Sequence, residues 1–501
     1  MALINISNLT FAYDGSYDNI FENVSFQIDT DWKLGFTGRN GRGKTTFLNL
    51  LLGKYEYSGN ISATVNFQYF PHSVSDKTQN TGLVISDLAP ESKDWEIARE
   101  LSLLNLGADI LSRPFETLSN GEQTKALLAA LFLCENNFLL IDEPTNHLDI
   151  SGRQVVSNYL SGKSGYILVS HDRAFLDGCV DHILSINRAN IEVQRGNFSS
   201  WVANKEQQDS FELAENEKLK KEIKRLKSAA RQSASWADKV ESTKKGKGAE
   251  KARQKGHAGI DTMAYNGEKS RRMQQRRKNL ERRQQDSIDE KSKLLKNIER
   301  TDSLKIMQLV HHNPKYVSLS GVGISYGDKI VCENVSFSVE HGDRIALRGK
   351  NGSGKTSVIK LIIGEDIPHM GDFASASGLK VSYVSQDTSN LRGDLRDYAE
   401  AHEIDESLFK AILRKLDFSR VQFEKNMEDF SGGQKKKVLI ARSLCEKSHL
   451  LVWDEPLNYI DVLSRMQIED LLIAHKPTIL FVEHDSVFTN KIATKIVDLG
   501  S

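Results

Sequence analysis

GRNGRGKT at 38–45 returns as GKNGSGKT at 349–356, and these two octapeptides govern how the rest of the 501-residue chain is read. Each follows G-x-x-x-x-G-K-T, a glycine-rich loop whose backbone N–H groups close around phosphate oxygens. WKLGFTG precedes the first loop and TTFLNLLLG follows it; RIALRG precedes the second and TSVIKLIIG follows. A strand running into the loop and a helix leaving it give the motif its meaning, because the helix N-terminus then favours negative charge. Gly38, Asn40, Gly41 and Gly43 form the first cradle; Gly349, Asn351, Gly352 and Gly354 form the second. Lys44 and Lys355 are expected to meet the β- and γ-phosphates of ATP, with Thr46 and Ser357 beside them. Thr45 and Thr356 would offer hydroxyls to Mg²⁺.

Outward from the loops, the chain repeats itself. Lys44 and Lys355 stand 311 residues apart, Ser119 of LSNGEQ and Ser431 of FSGGQ 312, Asp142 and Asp454 312, His171 and His484 313. Motifs in one order at nearly constant spacing mean two copies of one domain. The expected organisation is cassette 1 over 1–203, a different segment over 204–313, and cassette 2 over 314–501. FLLIDEP (138–144) and LLVWDEP (450–456) read as apolar strands ending in adjacent carboxylates. Such a strand holds Asp142 or Asp454 beside the phosphate loop for Mg²⁺. It also places Glu143 or Glu455 to polarise the attacking water. His171 and His484 end later strands, in reach of the γ-phosphate and that water.

Bulk properties narrow the class. Hydrophobic residues make up 39% and charged residues 27%, as in folded soluble proteins. No apolar run reaches the ~18 residues a membrane span needs, and MALINISNLTFAYDG does not read as a secretory signal. Cys134, Cys179, Cys332 and Cys445 match neither a disulfide framework nor zinc-ligand spacing, and read as reduced cytoplasmic thiols.

The formal net charge is zero, yet Lys205 to Val310 holds 28 Lys and Arg against 17 Asp and Glu, a local excess of +11. Leu219, Ile223, Leu226, Ala230, Ala237 and Val240 form a narrow helical seam over about 205–240. Five glycines among many lysines make 241–267 read as a turn or tip. A second helical stretch over about 268–309 carries Met273, Leu280, Ile288, Leu295 and Ile298 on one side. The expectation is an antiparallel helical hairpin of ~36-residue helices, roughly 50 Å long. Dense arginine, as in RRMQQRRK at 271–278, suits a phosphate-rich surface rather than base-specific contacts.

Phosphate loop, serine–glycine signature, acidic strand and histidine, in that order, resemble the ATP-binding cassette (ABC) family over both repeats. The resemblance implies an α/β fold: two tandem ABC-type P-loop nucleotide-binding domains joined by a long antiparallel α-helical hairpin. It also implies that the cassettes meet head to tail within one monomeric chain. One ATP would then lie between Gly38–Thr45 and Ser431, Gly432, Gly433 and Gln434. The other would lie between Gly349–Thr356 and Ser119, Gly121, Glu122 and Gln123. Tyr13 and Tyr326 match the adenine-stacking aromatic, and Gln386 the loop glutamine that meets Mg²⁺. Two departures mark the copies as unequal. His72 stands where a loop glutamine is expected, and DEPLNYID replaces DEPTNHLD, so that Leu457 and Tyr459 stand for Thr145 and His147.

Two fused cassettes with a basic helical linker further resemble the ABC-F group of cytoplasmic ATPases. Thr45–Ser119 spans 74 residues and Thr356–Ser431 spans 75, leaving no room for the arm of housekeeping translation factors. No long extension is expected after His484. The linker and DEPLNYID are similar to the antibiotic-resistance branch, nearest the Lsa-type proteins acting against lincosamides, streptogramin A and pleuromutilins. That resemblance implies a 70S ribosome partner, with the tip near 23S rRNA and peptidyl tRNA, drug displacement, and release on ATP hydrolysis. Trp236, Met263 and Tyr265 are expected near the tip. Competing readings are a general translation factor, the ATPase subunit of an exporter, and a DNA-repair ATPase. The exporter is disfavoured by the basic hairpin and lack of a membrane segment, the repair enzyme by the lack of zinc-ligand cysteines.

Overall fold

The computed structural model describes residues 2–13, 19–134, 136–146, 148–187, 190–252, 282, 308–327, 329–350 and 352–499. His147, Asn351, Met263, Tyr265 and nearly all of the expected second linker helix lie outside the described residues. Of Trp236 only the backbone is described. The chain divides into two compact units: Met1–Trp201 together with Asp302–Ser501, and Val202–Thr301. Both cassettes therefore belong to one unit.

In the first cassette β1 (Leu3–Phe11), β2 (Phe21–Asp29) and β4 (Ser58–Ser62) form an antiparallel sheet in the order β2-β1-β4. A second sheet runs β5-β6-β7-β3-β8-β9, with β5 (Asn66–Phe70), β6 (Asn137–Asp142), β7 (Tyr166–Val169), β3 (Lys33–Thr37) and β8 (His182–Asn187) parallel. The last strand, β9 (Asn190–Arg195), pairs antiparallel with β8. Strands β6 and β7 read FLLI and YILV at their centres because parallel strands are covered on both faces, and every one of those residues is buried.

The second cassette repeats the plan. β10 (Lys315–Tyr326), β11 (Lys329–Glu340) and β13 (His369–Ser375) form one sheet. β14 (Val381–Val384), β15 (Leu450–Asp454), β16 (Ile479–Val482), β12 (Arg344–Arg348) and β17 (Lys495–Asp498) lie parallel in that order. Trp453 and Phe481 are fully buried in its core, as Phe36, Phe47 and Phe138 are in the first. In both halves the phosphate-loop strand sits two places from the acidic strand. The histidine strand lies between them, so three functional strand ends share one edge of the sheet.

A long helix runs from Phe198 to Ala252. It thus takes in residues 241–252, which the sequence reading assigns to a turn. Gly246 and Gly248 each weaken a helix by about 1 kcal/mol. The Lys, Ala and Glu around them are among the strongest helix formers, and nothing compels a break. The helix is about 80 Å long at ~1.5 Å per residue, against the roughly 50 Å expected. No helix among the described residues is long and apolar enough to cross a membrane. The four cysteines are free thiols, buried or partly buried.

Candidate functional site

Each phosphate loop passes from a strand into a helix: β3 into α1 (Lys44–Leu51), and β12 into the helix Lys355–Ile363. Gly43 and Gly354 cap these helices with φ of 94° and 86°, a left-handed backbone that a side chain resists. A Cβ at Gly43 would also fall 2.5 Å from Ile20 Cγ2. Lys44 Nζ donates to Gly38 O at 2.7 Å, and Lys355 Nζ to Gly349 O at 2.9 Å and Lys350 O at 2.8 Å. The buried ammonium groups are thus held by their own loops, and burial lowers the pKa of both.

Beyond the acidic strands the backbone turns sharply. Glu143 and Glu455 adopt φ of 51° and 46°. A left-handed glutamate costs of order 1–3 kcal/mol and persists where the surroundings enforce it, as at functional sites. His171 Nε2 lies 3.3 Å from Glu143 Oε1, and His484 Nε2 3.4 Å from Glu455 Oε1.

The two glutamates differ sharply in surroundings. Gln386 Nε2 and Asn458 Nδ2 each donate to Glu455 Oε2 at 2.7 Å. The hydrogen bond from His484 is the main cause of a lowered Glu455 pKa. Glu143 Oε1 is buried without an aligned hydrogen-bond partner. Burial, and then the charge of Asp142, push the Glu143 carboxyl up to about 8. His171 is held well below its usual pKa by burial, with Lys44 and Arg465 adding to the effect.

Asp142 Oδ2 accepts from Thr45 Oγ1 at 3.3 Å and from the Tyr69 hydroxyl at 3.0 Å. Both oxygens of Asp454 are buried without a hydrogen-bond partner, and burial raises its pKa although Thr356 opposes that shift. Threonine hydroxyl and aspartate carboxylate are hard oxygen donors, and an unpartnered buried carboxylate suits a divalent cation. The residues present fit Mg²⁺.

Ser119 and Ser431 cap the helices Asn120–Leu133 and Gly432–Cys445 in matching capping boxes. Glu122 N donates to Ser119 Oγ and Gln434 N to Ser431 Oγ, each at 3.3 Å. In return, Glu122 Oε2 accepts from Ser119 N at 2.8 Å, and Gln434 Oε1 from Ser431 N at 2.9 Å. The serine–glycine wording thus frees the first backbone N–H groups of a helix at the edge of a cavity.

Two cavities bring these parts together across the cassettes. One, of about 490 Å³, joins Lys44, Thr45, Glu143 and His171 to Ser431, Gly432 and Gly433. The other, of about 940 Å³, joins Lys355, Thr356, Gln386, Glu455 and His484 to Ser119, Gly121 and Glu122. The halves are bonded at several points: Asn40 Nδ2 donates to Tyr459 O at 2.7 Å, and Arg39 pairs with Asp417 at 2.6 Å. Arg173 is buried against Glu469 and Asp485.

Not every expected residue reaches a cavity. Gln123 Nε2 donates to Phe115 O and Leu118 O at 3.1 and 3.0 Å and lines neither cavity, and Gln434 is spent in its capping box. Tyr13 lines the first cavity, with its hydroxyl 2.8 Å from Thr46 Oγ1. Tyr326 reaches Ser357 Oγ at 3.4 Å without lining the second. In sheet register Phe70 pairs with Ile141 as Val384 pairs with Trp453, so His72 occupies the place of Gln386. His72 is exposed and lines neither cavity. Sequence reasoning missed Asn458, the second amide on Glu455, although it lies within DEPLNYID.

The chain resembles known proteins along most of its length. The profile of the family described as "ABC transporter" matches residues 21–146 and 332–458, just over half of the chain. "Ribosome protection protein VmlR" of Bacillus subtilis (strain 168) is 28% identical over 498 residues, covering 98% of this chain and 85% of that protein. "ATP-binding protein Uup" of Buchnera aphidicola is 28% identical over 518 residues, covering 99% and 80%. The archaeal ribosome recycling factor aABCE1, solved in complex with the ribosomal stalk protein aP1, shares the fold. Its TM-score is 0.59 at 17% identity, with 98% of this chain and 87% of that one covered. The chain belongs to the ABC transporter family, and is an ATPase with two ATP-binding domains in tandem.

Proposed function

We propose that the chain is a cytoplasmic, ribosome-associated ATPase of the ABC-F group that relieves inhibition by peptidyl-transferase antibiotics. The observation that carries this reading is the alignment with a ribosome protection protein across 98% of the chain, the basic linker included. Cassette 1 (1–203) and cassette 2 (314–501) close on two ATP molecules. The linker (204–313), with its excess of +11 over 205–310, meets the anionic surface of the 70S ribosome near 23S rRNA and peptidyl tRNA.

At each site the loop lysine, Lys44 or Lys355, leaves its carbonyl partners for the β- and γ-phosphates. Ser431 and Ser119, with the helix N–H groups behind them, close on the γ-phosphate from the opposite cassette. Thr45 with Asp142, and Thr356 with Asp454 and Gln386, would hold Mg²⁺, which would supply positive charge beside the phosphates. Glu143 and Glu455 orient the attacking water and accept its proton, and His171 and His484 fix those carboxylates. Adenine rests on Tyr13 at the first site and near Tyr326 at the second.

A relative named only as an ATP-binding protein, Uup, has the same identity as the ribosome protection protein, so a general translation factor without drug specificity is the second reading. Drug susceptibility separates the two. The wild-type chain, expressed in a sensitive bacterium, raises the inhibitory concentration of peptidyl-transferase drugs alone, and the Glu143→Gln/Glu455→Gln chain does not. No protection by the wild type, with growth arrest by the double variant, replaces this reading with the general factor.

A further inference from the structure

The two cassettes differ in a buried layer behind their sites. In the first, Thr124, Thr145 and Ser170 are uncharged, with Thr145 Oγ1 3.3 Å from Ser170 Oγ. At the matching places the second carries Lys436, Leu457 and Glu483. Leu457 N donates to Glu483 Oε1 at 2.7 Å. Glu483 is the strongest opposite charge acting on Lys436. A lysine side chain is almost never fully buried unless paired, because its desolvation is costly. Lys436 is 1% exposed.

Its position makes a connection. Lys436 lies in the second turn of the helix Gly432–Cys445, whose N-terminus lines the first cavity through Ser431, Gly432 and Gly433. Its Nζ donates to the carbonyl of Ser385 at 2.8 Å. The next residue, Gln386, lines the second cavity and donates to Glu455 Oε2 at 2.7 Å. Three residues thus join the helix that serves one ATP to the carboxylate beside the other.

We propose that Lys436 is a positioning residue of the second site, tying the Gln386 loop, and through it Glu455, to the helix that closes on ATP at the first. The inference rests on the assignment of Glu455 and Glu143 in the proposed function. The tie runs one way. At the corresponding places of the first cassette stand the short, neutral Thr124 and the exposed His72, so the first site lacks this link to the helix that serves the second. When ATP seats against Ser431, the helix carries Ser385 and Gln386 with it, and Glu455 is held in place for the attacking water.

The test uses full-length chains in which one site turns over. Glu143→Gln leaves the second site active, and Glu455→Gln leaves the first. Adding Lys436→Met to Glu143→Gln is expected to lower kcat about tenfold, with KM for ATP changed less than about twofold, as for a group felt in the transition state. Adding it to Glu455→Gln leaves kcat within about twofold. Lys436→Gln, which keeps a neutral donor, restores most of the loss. Thermal unfolding of each chain accompanies the kinetics, and if Lys436→Met does not fold, Lys436→Thr, the residue type of Thr124 in the first cassette, carries the comparison. Equal losses in both backgrounds, or an unchanged kcat in the Glu143→Gln chain, overturn the inference. If neither Glu143→Gln nor Glu455→Gln alone lowers turnover, the assignment of the two glutamates fails instead, whatever Lys436→Met does.

Discussion

The two ATP sites share a backbone and differ in the charge each can hold. Glu143 and Glu455 follow the same kind of strand, turn through the same left-handed φ and approach a histidine at nearly the same distance. Glu455 is kept ionised by His484, Gln386 and Asn458. Glu143, buried beside Asp142 without an aligned partner on Oε1, is pushed up to about 8, because burial disfavours its charged form. A duplicated fold therefore does not imply duplicated chemistry, because ionisation follows the few groups within hydrogen-bond reach.

The largest expected effect puts this contrast at risk. Glu455→Gln should slow the second site by roughly a hundredfold or more, in the range for loss of a general base, and leave only the slower turnover of the first. Glu143→Gln, at a carboxylate whose charged form burial already disfavours, should cost total turnover several-fold less. Steady-state phosphate release decides, and equal losses break the contrast.

Next comes the seam between the cassettes. Arg173→Met takes a shared cation from Glu469 and Asp485, which keep Lys491 at 3.1 Å and Arg465 at 3.3 Å, so the loss should lie near the lower end of the about 3–5 kcal/mol for breaking a buried ion pair. Urea unfolding should show the loss, and Arg173→Lys should recover only part of it.

A smaller difference lies in the helical layers. Glu100 is buried in the first cassette where Ile412 stands in the second. Burial raises the Glu100 pKa, but hydrogen bonds from Lys163, Tyr159 and Arg99 outweigh it and the net shift is downward. A lowered folded pKa stabilises above the unfolded value and is lost as pH falls through the folded one. Glu100→Gln should therefore cost about 1–3 kcal/mol at pH 7. The gap to wild type should shrink as pH drops below the ordinary glutamate range, as unfolding at a series of pH values would show.

The smallest effects belong to the signature caps. Ser119→Ala and Ser431→Ala should each cost about 1 kcal/mol of helix stability. Ser119 serves the second site, so Ser119→Ala should slow turnover more than Ser431→Ala. The reverse order in a paired kinetic assay would point to the first site as the faster one.

Much of this was legible in the residues. The order of loop, signature, acidic strand and histidine located both sites, because glycine-permitted turns and strand-end carboxylates are local necessities of phosphate binding. The helix extending to Ala252 was not legible, since two glycines look like a break when their strong helix-forming neighbours are discounted. Nor were the idle Gln123 amide, spent on two loop carbonyls, or Asn458, whose use depends on where Glu455 points.

By itself the sequence determined that there are two copies of one nucleotide-binding domain, where each copy meets phosphate, and that a basic segment separates them. These depend on residue type and spacing along the chain, which a linear text preserves. Only the tertiary structure decided that each cavity takes one wall from each cassette, that Lys436 is sealed beneath the second site, and that one glutamate accepts two amide hydrogen bonds while its twin is buried with an unpartnered oxygen. Those outcomes depend on burial and on partners hundreds of residues away in the chain, and electrostatic free energies are set by distance in space.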